Sequence, residues 1–261
     1  MTTQNHDIAM MPAAFIGHGS PMNALENNQF TQAWAGFAQR IPKPKAILVI
    51  SAHWYIDHIA VTAMPQPKTI HDFYGFPPAI SEMLYPAPGN PLLAQRVAEL
   101  LSPMDVRLDQ NTWGLDHGAW SVLAPMFPEA DVPVIQLSIN ARLSFDEHVQ
   151  LGAKLAPLRN EGVLILASGN VVHNLRLMQR GSYPWAQEFD DEARNLIVQR
   201  PQDIAQLLNQ PAYKLAVPTP DHFIPLLYIA GLAAASGEKP EVFIDGIAMG
   251  SISMTSFALG K

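Results

Sequence analysis

Nine histidines are spread over the 261 residues, and they fall into two groups. His18, His53, His117, His173 and His222 stand beside small or turn-forming residues, in GHGSP, SAHW, LDHGAW, SGNVVH and TPDHF. His6, His58 and His148 lack such neighbours and read as surface or packing residues, and His71 is intermediate. A single histidine of the first kind is more often a satisfied structural residue than a ligand, but five in equivalent surroundings reverse that weighting. Neutral imidazoles suit Zn(II) or Fe(II), whose borderline softness favours nitrogen, and an imidazole with a pKa of about 7 can take and return a proton. The chain has no cysteine, so disulfides, thiolate metal sites and cysteine nucleophiles are excluded, and a metal must be held by His, Asp or Glu. The short regular ligand spacing of structural zinc sites is absent. Ser20, Ser51 and Ser168 do not lie in a Gly-x-Ser-x-Gly elbow, which argues against a serine hydrolase, and GHGS lacks the phosphate-binding glycine pattern.

These histidines need elements that bring them together. Residues 46–54, AILVISAHW, are an apolar, β-branched run that stops at His53, the pattern of a strand buried on both faces of a parallel sheet. Residues 10–16 lead into His18 in the same way, and residues 162–167 lead into Ser168-Gly169-Asn170 and His173. Ligands of open α/β sheets bind beyond the carboxyl ends of the strands, so three strand-end histidines share one place to meet a ligand. Residues 28–39 set Phe30, Trp34 and Phe37 along one helix face, ended by Pro42 and Pro44, and supply the crossover expected of a parallel pair. Short strands at 61–64 and 105–108, a strand ending at Asn140, and helices at 91–101, 144–159, 189–199 and 201–208 continue the alternation. Thr219 and Asp221 open a buried helix, which puts His222 at a helix start. Residues 69–91 and 111–120 are irregular and rich in glycine, proline and aromatics; they read as walls of a site, and His71 and Asp72 lie in the first. The tail, 241–260, reads as a closing hairpin or edge strand pair.

The expected architecture is therefore α/β: a single domain over residues 1–261, with a central, mostly parallel sheet flanked by helices and a metal cleft at strand ends. Hydrophobic residues are 48% and charged residues 15% of the chain, which suits a folded enzyme and not a disordered segment. A net charge of −7 without a basic cluster argues against nucleic-acid binding, and an anionic substrate would have to be drawn by local charge. Residues 1–9 are polar and are expected to be frayed, without the features of a signal peptide, and no apolar run reaches the about 20 residues of a membrane span. The expectation is a soluble, cytoplasmic protein with no membrane partner; oligomeric state has no signature in the chain.

Six segments together make the chain recognisable: GHGSPMNAL, SAHW, HDFYGFP, WGLDHGAWSVL, ASGNVVHNL and PTPDHFIPLLY. Over nearly its whole length it resembles the 4,5-DOPA extradiol dioxygenase family, within the class III extradiol ring-cleavage dioxygenases related to protocatechuate 4,5-dioxygenase. The resemblance implies a small catecholic substrate, DOPA-like, opened with O2 to a semialdehyde. It implies that His18 and His53 are metal ligands and that His222 stands where the wider superfamily has a glutamate. Exchanging that carboxylate for an imidazole removes a negative charge beside the metal and leaves a site suited to Zn(II) as well as Fe(II). By the same likeness His173 is the acid/base residue, close enough to serve as a fourth ligand, and His117 contacts substrate or dioxygen. Tyr74, Trp113 and Asp116 are then pocket residues. Two other functions fit an all-histidine site: a zinc-dependent hydrolase of a small amide or ester, because such a zinc also activates water, and a non-catalytic metal-bearing binding module.

Overall fold

The computed structural model of the chain describes residues 10–260; the polar lead with His6, and Lys261, lie outside the described residues. The strands are β1 (Ala13–Gly17), β2 (Ala46–Ile56), β3 (Ile59–Thr62), β4 (Val106–Asp109), β5 (Val134–Asn140), β6 (Val163–Gly169), β7 (Glu241–Ile244), β8 (Ile247–Ala248), β9 (Ile252–Ser253) and β10 (Ser256–Leu259). Eight of them form one sheet in the order β4-β3-β5-β2-β6-β1-β10-β7, and β8 pairs with β9 as a separate ribbon. The centre, β5-β2-β6-β1, is parallel, as is β3 with β4, whereas β10 and β7 close one edge antiparallel. The result is a single α/β domain with a mostly parallel central sheet.

The apolar runs occupy that centre because both of their faces are covered. Leu48, Ile50, Ile135, Leu137 and Ile165 point to one side, where helices Pro91–Leu101, Phe145–Lys154 and Ile224–Ser236 pack. Their alternates Ile47, Val49, Val134, Leu164 and Leu166 point to the other, against helices Gln29–Arg40 and His117–Met126. Each such side chain taken fully out of water contributes about 1.5–3 kcal/mol, so this double burial fixes which strands are central. The helix Gln29–Arg40 starts at an Asn28–Thr31 capping box, and Pro91–Leu101 starts at an Asn90 cap with proline in its first turn. Both caps are local, and both helices match the sequence reading.

Where structure and sequence reading differ, a nonlocal cause or a proline accounts for it. β1 and β2 are not partners: each pairs with β6, which lies between them, so the first crossover skips a strand position. β2 does not stop at His53 but runs on to Ile56, with its register against β5 shifting between Ile50 and Tyr55. His53 therefore projects from an irregularity within the strand, a place where bulges re-aim side chains. The single helix expected over 144–159 stops at Lys154 and resumes as one turn, Pro157–Asn160, because Pro157 has no N–H to continue the ladder. Residues 201–209 form a 3₁₀ helix, and the helix expected from 189 begins at Pro184. No helix among the described residues is long and apolar enough to cross a membrane.

Candidate metal centre

Five histidines converge at the carboxyl end of the central strands. His18 follows β1, its backbone N–H donating to the Gly169 carbonyl at 3.1 Å. Its Nδ1 lies 3.0 Å from the Ser168 hydroxyl, which donates its only proton to the Gly118 carbonyl at 2.6 Å. The hydroxyl must then accept from His18 Nδ1–H, which leaves Nε2 of a neutral His18 with a bare lone pair. His53 is set the same way: Nδ1 lies 3.1 Å from an Asp72 carboxylate oxygen, an acceptor only, so Nδ1 carries the hydrogen.

The two Nε2 atoms face each other at 3.2 Å, and such a pair requires a cation between them. A proton fills that place when His53 is charged. Burial works against the charged form of His53, but the hydrogen bond to Asp72 and the carboxylates of Asp116, Asp72 and Asp221 raise its pKa overall. A divalent ion fits better, since two nitrogens at about 2.0–2.1 Å from a tetrahedral ion are about 3.3 Å apart. Metal binding at such a slot displaces the proton.

The other imidazoles are fixed by carboxylates as well. His117 opens the helix His117–Met126, and both its Nδ1 (2.8 Å) and its backbone N–H (3.0 Å) donate to Asp72. His222 Nδ1 pairs with the neighbouring Asp221 carboxylate, and its carbonyl accepts from the Asn170 N–H at 2.8 Å. Gly169 permits that approach, because a Cβ there would run into the His222 carbonyl. His222 precedes the helix Ile224–Ser236 by two residues and does not start it; Asp221 turns to His222 and does not cap the helix. His173 is held through its backbone N–H on the Ala216 carbonyl (2.8 Å), with its ring stacked on that of His222 at 3.5 Å and 6°.

This crowding keeps the cluster largely neutral. Burial, then the imidazoles of His53 and His222, hold His18 well below the ordinary histidine pKa. Burial pushes His222 down to about 4 and, with His222 beside it, His173 down to about 2, below the value near 7 that the residue type suggests. Burial also lowers His117, although Asp72 opposes it. Asp72 is buried enough to resist ionisation, yet its hydrogen bonds with His117 and His53 keep it a carboxylate.

Above the histidines lies a cavity of about 430 Å³ whose walls include Phe73, Phe76 and Ile252. The five expected histidines all line it. Tyr74, expected in the pocket, is 96% exposed and lies outside the lining, whereas its neighbour Phe73 packs edge-on against His117. Trp113 stacks on Trp54 at 5.6 Å and donates to Asp116 at 3.3 Å, away from the cavity lining. Asp116 is fully buried and also lies outside that lining: it caps the His117–Met126 helix and accepts from the Ser51 hydroxyl (2.6 Å) and the Gln136 amide. Ser51 in turn accepts from the His53 N–H at 3.3 Å, so Asp116 braces two of the histidines. The sequence reading placed Asp72 in a wall loop without a role, and did not single out Asp221 or Ser168 as histidine partners. The carboxylate immediately preceding His222 was a visible signal for one of them.

The family described as the catalytic LigB subunit of aromatic ring-opening dioxygenase matches residues 12–260. A protein of Escherichia coli (strain K12) named 4,5-DOPA dioxygenase extradiol is 48% identical, with 100% of each chain covered. A protein of the same name from Beta vulgaris is 39% identical, over 93% of this chain and 94% of its own. The crystal structure of an uncharacterized Escherichia coli K12 protein superimposes with a TM-score of 0.84 at 42% identity, covering 96% of this chain and all of that one.

Proposed function

The chain belongs to the LigB catalytic-subunit family of aromatic ring-opening dioxygenases, and on that premise we propose that its histidine cleft holds a divalent metal, Fe(II) in the active form, and opens DOPA-type catechols beside the diol to a semialdehyde. Such an ion would supply a template and a redox-active centre for catechol and dioxygen, and Zn(II), lacking redox chemistry, would supply only the template. The observation that carries the reading is the 3.2 Å approach of the His18 and His53 Nε2 atoms at the floor of an apolar cavity, with the Nδ1 atoms turned to Ser168 and Asp72.

His18, His53 and His222 are the proposed ligands. Three imidazoles around one tetrahedral ion have ring centres about 5 Å apart. The observed spacings are 5.2 Å for His18–His53, 5.3 Å for His18–His222 and 4.9 Å for His53–His222. By nitrogen positions alone the tightest group is instead His18, His53 and His117, all within 4.8 Å. Even ring-centre spacing is taken as the guide, because one tetrahedral ion holds its imidazoles symmetrically. His117, at 3.9 Å from His53 but 5.8 Å from His18, is too uneven for the set. Its Nδ1 is occupied by Asp72, which directs its other nitrogen to substrate or dioxygen.

His173 takes the second catechol proton on its ring nitrogen and returns it after oxygen insertion, completing the hydrolytic opening. Burial keeps that ring neutral but also weakens it as a base, so the role requires the negative charge of a bound catecholate beside it to favour the protonated form. Phe73 and Phe76 flank the ring and exclude water. Trp113 and Asp116 support the site from behind, and Tyr74 takes no part in it.

Oxygen uptake and a yellow ring-opened product should appear when protein loaded with Fe(II) under nitrogen meets catechol or DOPA in air, with little turnover from the Zn(II)-loaded form. Absence of product from verified Fe(II)-loaded protein would sink the reading. Asp72→Asn tests how the ligands are oriented. The amide cannot accept from both His53 and His117 as the carboxylate does, so metal affinity should fall about 10–100-fold in chelator competition.

A further inference from the structure

Asp116 is a buried anion without a cation. The residue is fully shielded from water, and each oxygen of its carboxylate accepts from two neutral donors. Oδ1 accepts from the Ser51 hydroxyl at 2.6 Å and the Ala119 N–H at 3.2 Å, and Oδ2 from the Gln136 amide and from Trp113 Nε1–H at 3.3 Å. With both oxygens so engaged there is no place for a carboxyl proton. Among the described residues Asp116 forms no salt bridge. An anion taken out of water without a partner is costly, and it favours a positive charge close by.

A place for that charge lies next to it. A Cβ added to Gly118 would lie 2.8 Å from His53 Cδ2 and 3.3 Å from Asp116 Oδ1, so only the room of a methyl group parts the carboxylate from the imidazole. The field reaches that ring: against burial, the hydrogen bond to Asp72 and then the charge of Asp116 raise the His53 pKa. Asp72 and Asp221 meet imidazole nitrogens directly, whereas Asp116 reaches His53 only through the Ser51 hydroxyl on its backbone N–H. Charge and orientation can therefore be separated by substitution.

We infer that Asp116 is the fixed counter-charge of the His18–His53 slot: without touching the ion, it strengthens binding in proportion to the ion's charge and so lowers the Fe(III)/Fe(II) potential of bound iron. The inference rests on the metal reading above and goes beyond the bracing role of the same residue.

Asp116→Asn removes the charge in nearly the same volume. In chelator competition it should weaken Fe(II) about ten-fold and Fe(III) at least about thirty-fold, because the energy of a fixed charge scales with the charge of the ion, and the midpoint potential should rise. Ser51→Ala cuts the link to His53 and keeps the charge, so any loss should be equal for the two ions. Asp116→Asn combined with Gln136→Glu exchanges amide and carboxylate within one hydrogen-bonded pair, and should return the ratio of the two affinities toward wild type. An unmoved ratio and potential in Asp116→Asn overturn the inference, as does a Ser51→Ala that shifts the ratio equally, or wild-type protein that binds neither ion. If Asp116→Asn does not fold, Asp116→Ser, which keeps a helix-capping oxygen, replaces it. Failure of both to fold makes the carboxylate a structural requirement and also overturns the inference. Affinities are read without turnover, so if iron binds and no catechol consumes oxygen, the ring-opening reading fails and the ratio still decides the counter-charge.

Discussion

Replacing His18 by alanine should abolish stoichiometric metal binding and lower ring opening at least about a thousand-fold, because the proposed ion would lose one side of the 3.2 Å slot between His18 and His53. His18 is chosen over His53 because its partner survives its loss. Ser168 still donates to the Gly118 carbonyl, whereas truncating His53 would strip a partner from Asp72 and so disturb His117 as well. The fold should persist, because strands β1, β2 and β6 are held by ladders and core residues that do not involve the imidazole. Three measurements check this: metal content by mass spectrometry, oxygen uptake on catechol, and the melting temperature with and without added metal. Added metal should raise the wild-type melting temperature through linkage and leave that of the variant unmoved. A variant that keeps one metal per chain and most of its activity would remove His18 from the ligand set.

The five histidines were legible in the sequence because each is announced locally: glycine, serine or proline beside it marks the end of an element, and strand ends in an α/β sheet share one edge. Asp72 was not legible as their organiser. It joins His53 and His117, 19 and 45 residues away, and no periodicity reports a pairing across loops. The same limit explains Tyr74. In the irregular stretch HDFYGFP neither a period of 2 nor one of 3.6 says which side chain turns inward, and the fold packs a half-buried Phe73 against His117 and Trp120 while leaving Tyr74 in water. Strand existence followed from composition, since runs such as VLILASG demand cover on both faces, but strand order depends on which helices supply that cover. That is why β6 separates β1 from β2 although the sequence joins them by one helix. The likeness to extradiol enzymes added what spacing does not carry: the assignment of different tasks to chemically identical imidazoles.

That division of tasks is most exposed to test at His173. His173→Gln should retain the metal and bind catechol with a KM within about three-fold of wild type, yet lose about 10²–10⁴-fold in kcat. The amide keeps a flat polar group beside His222 but does not exchange a proton near neutral pH, so the substitution separates proton transfer from ring stacking. Two results would assign His173 differently. Loss of metal together with activity would make it a ligand, in keeping with its ring lying 3.5 Å from that of His222. An unchanged kcat would move the acid/base duty to His117, whose Asp72 hydrogen bond leaves the other ring nitrogen toward the cavity. The expected outcome rests on the contrast between the two residues: His117 is tied to a carboxylate at Nδ1, whereas His173 is held by its backbone N–H on Ala216 and by stacking. Among the described residues no hydrogen bond ties the His173 ring, which lines the cavity and so is the ring freest to exchange a proton there.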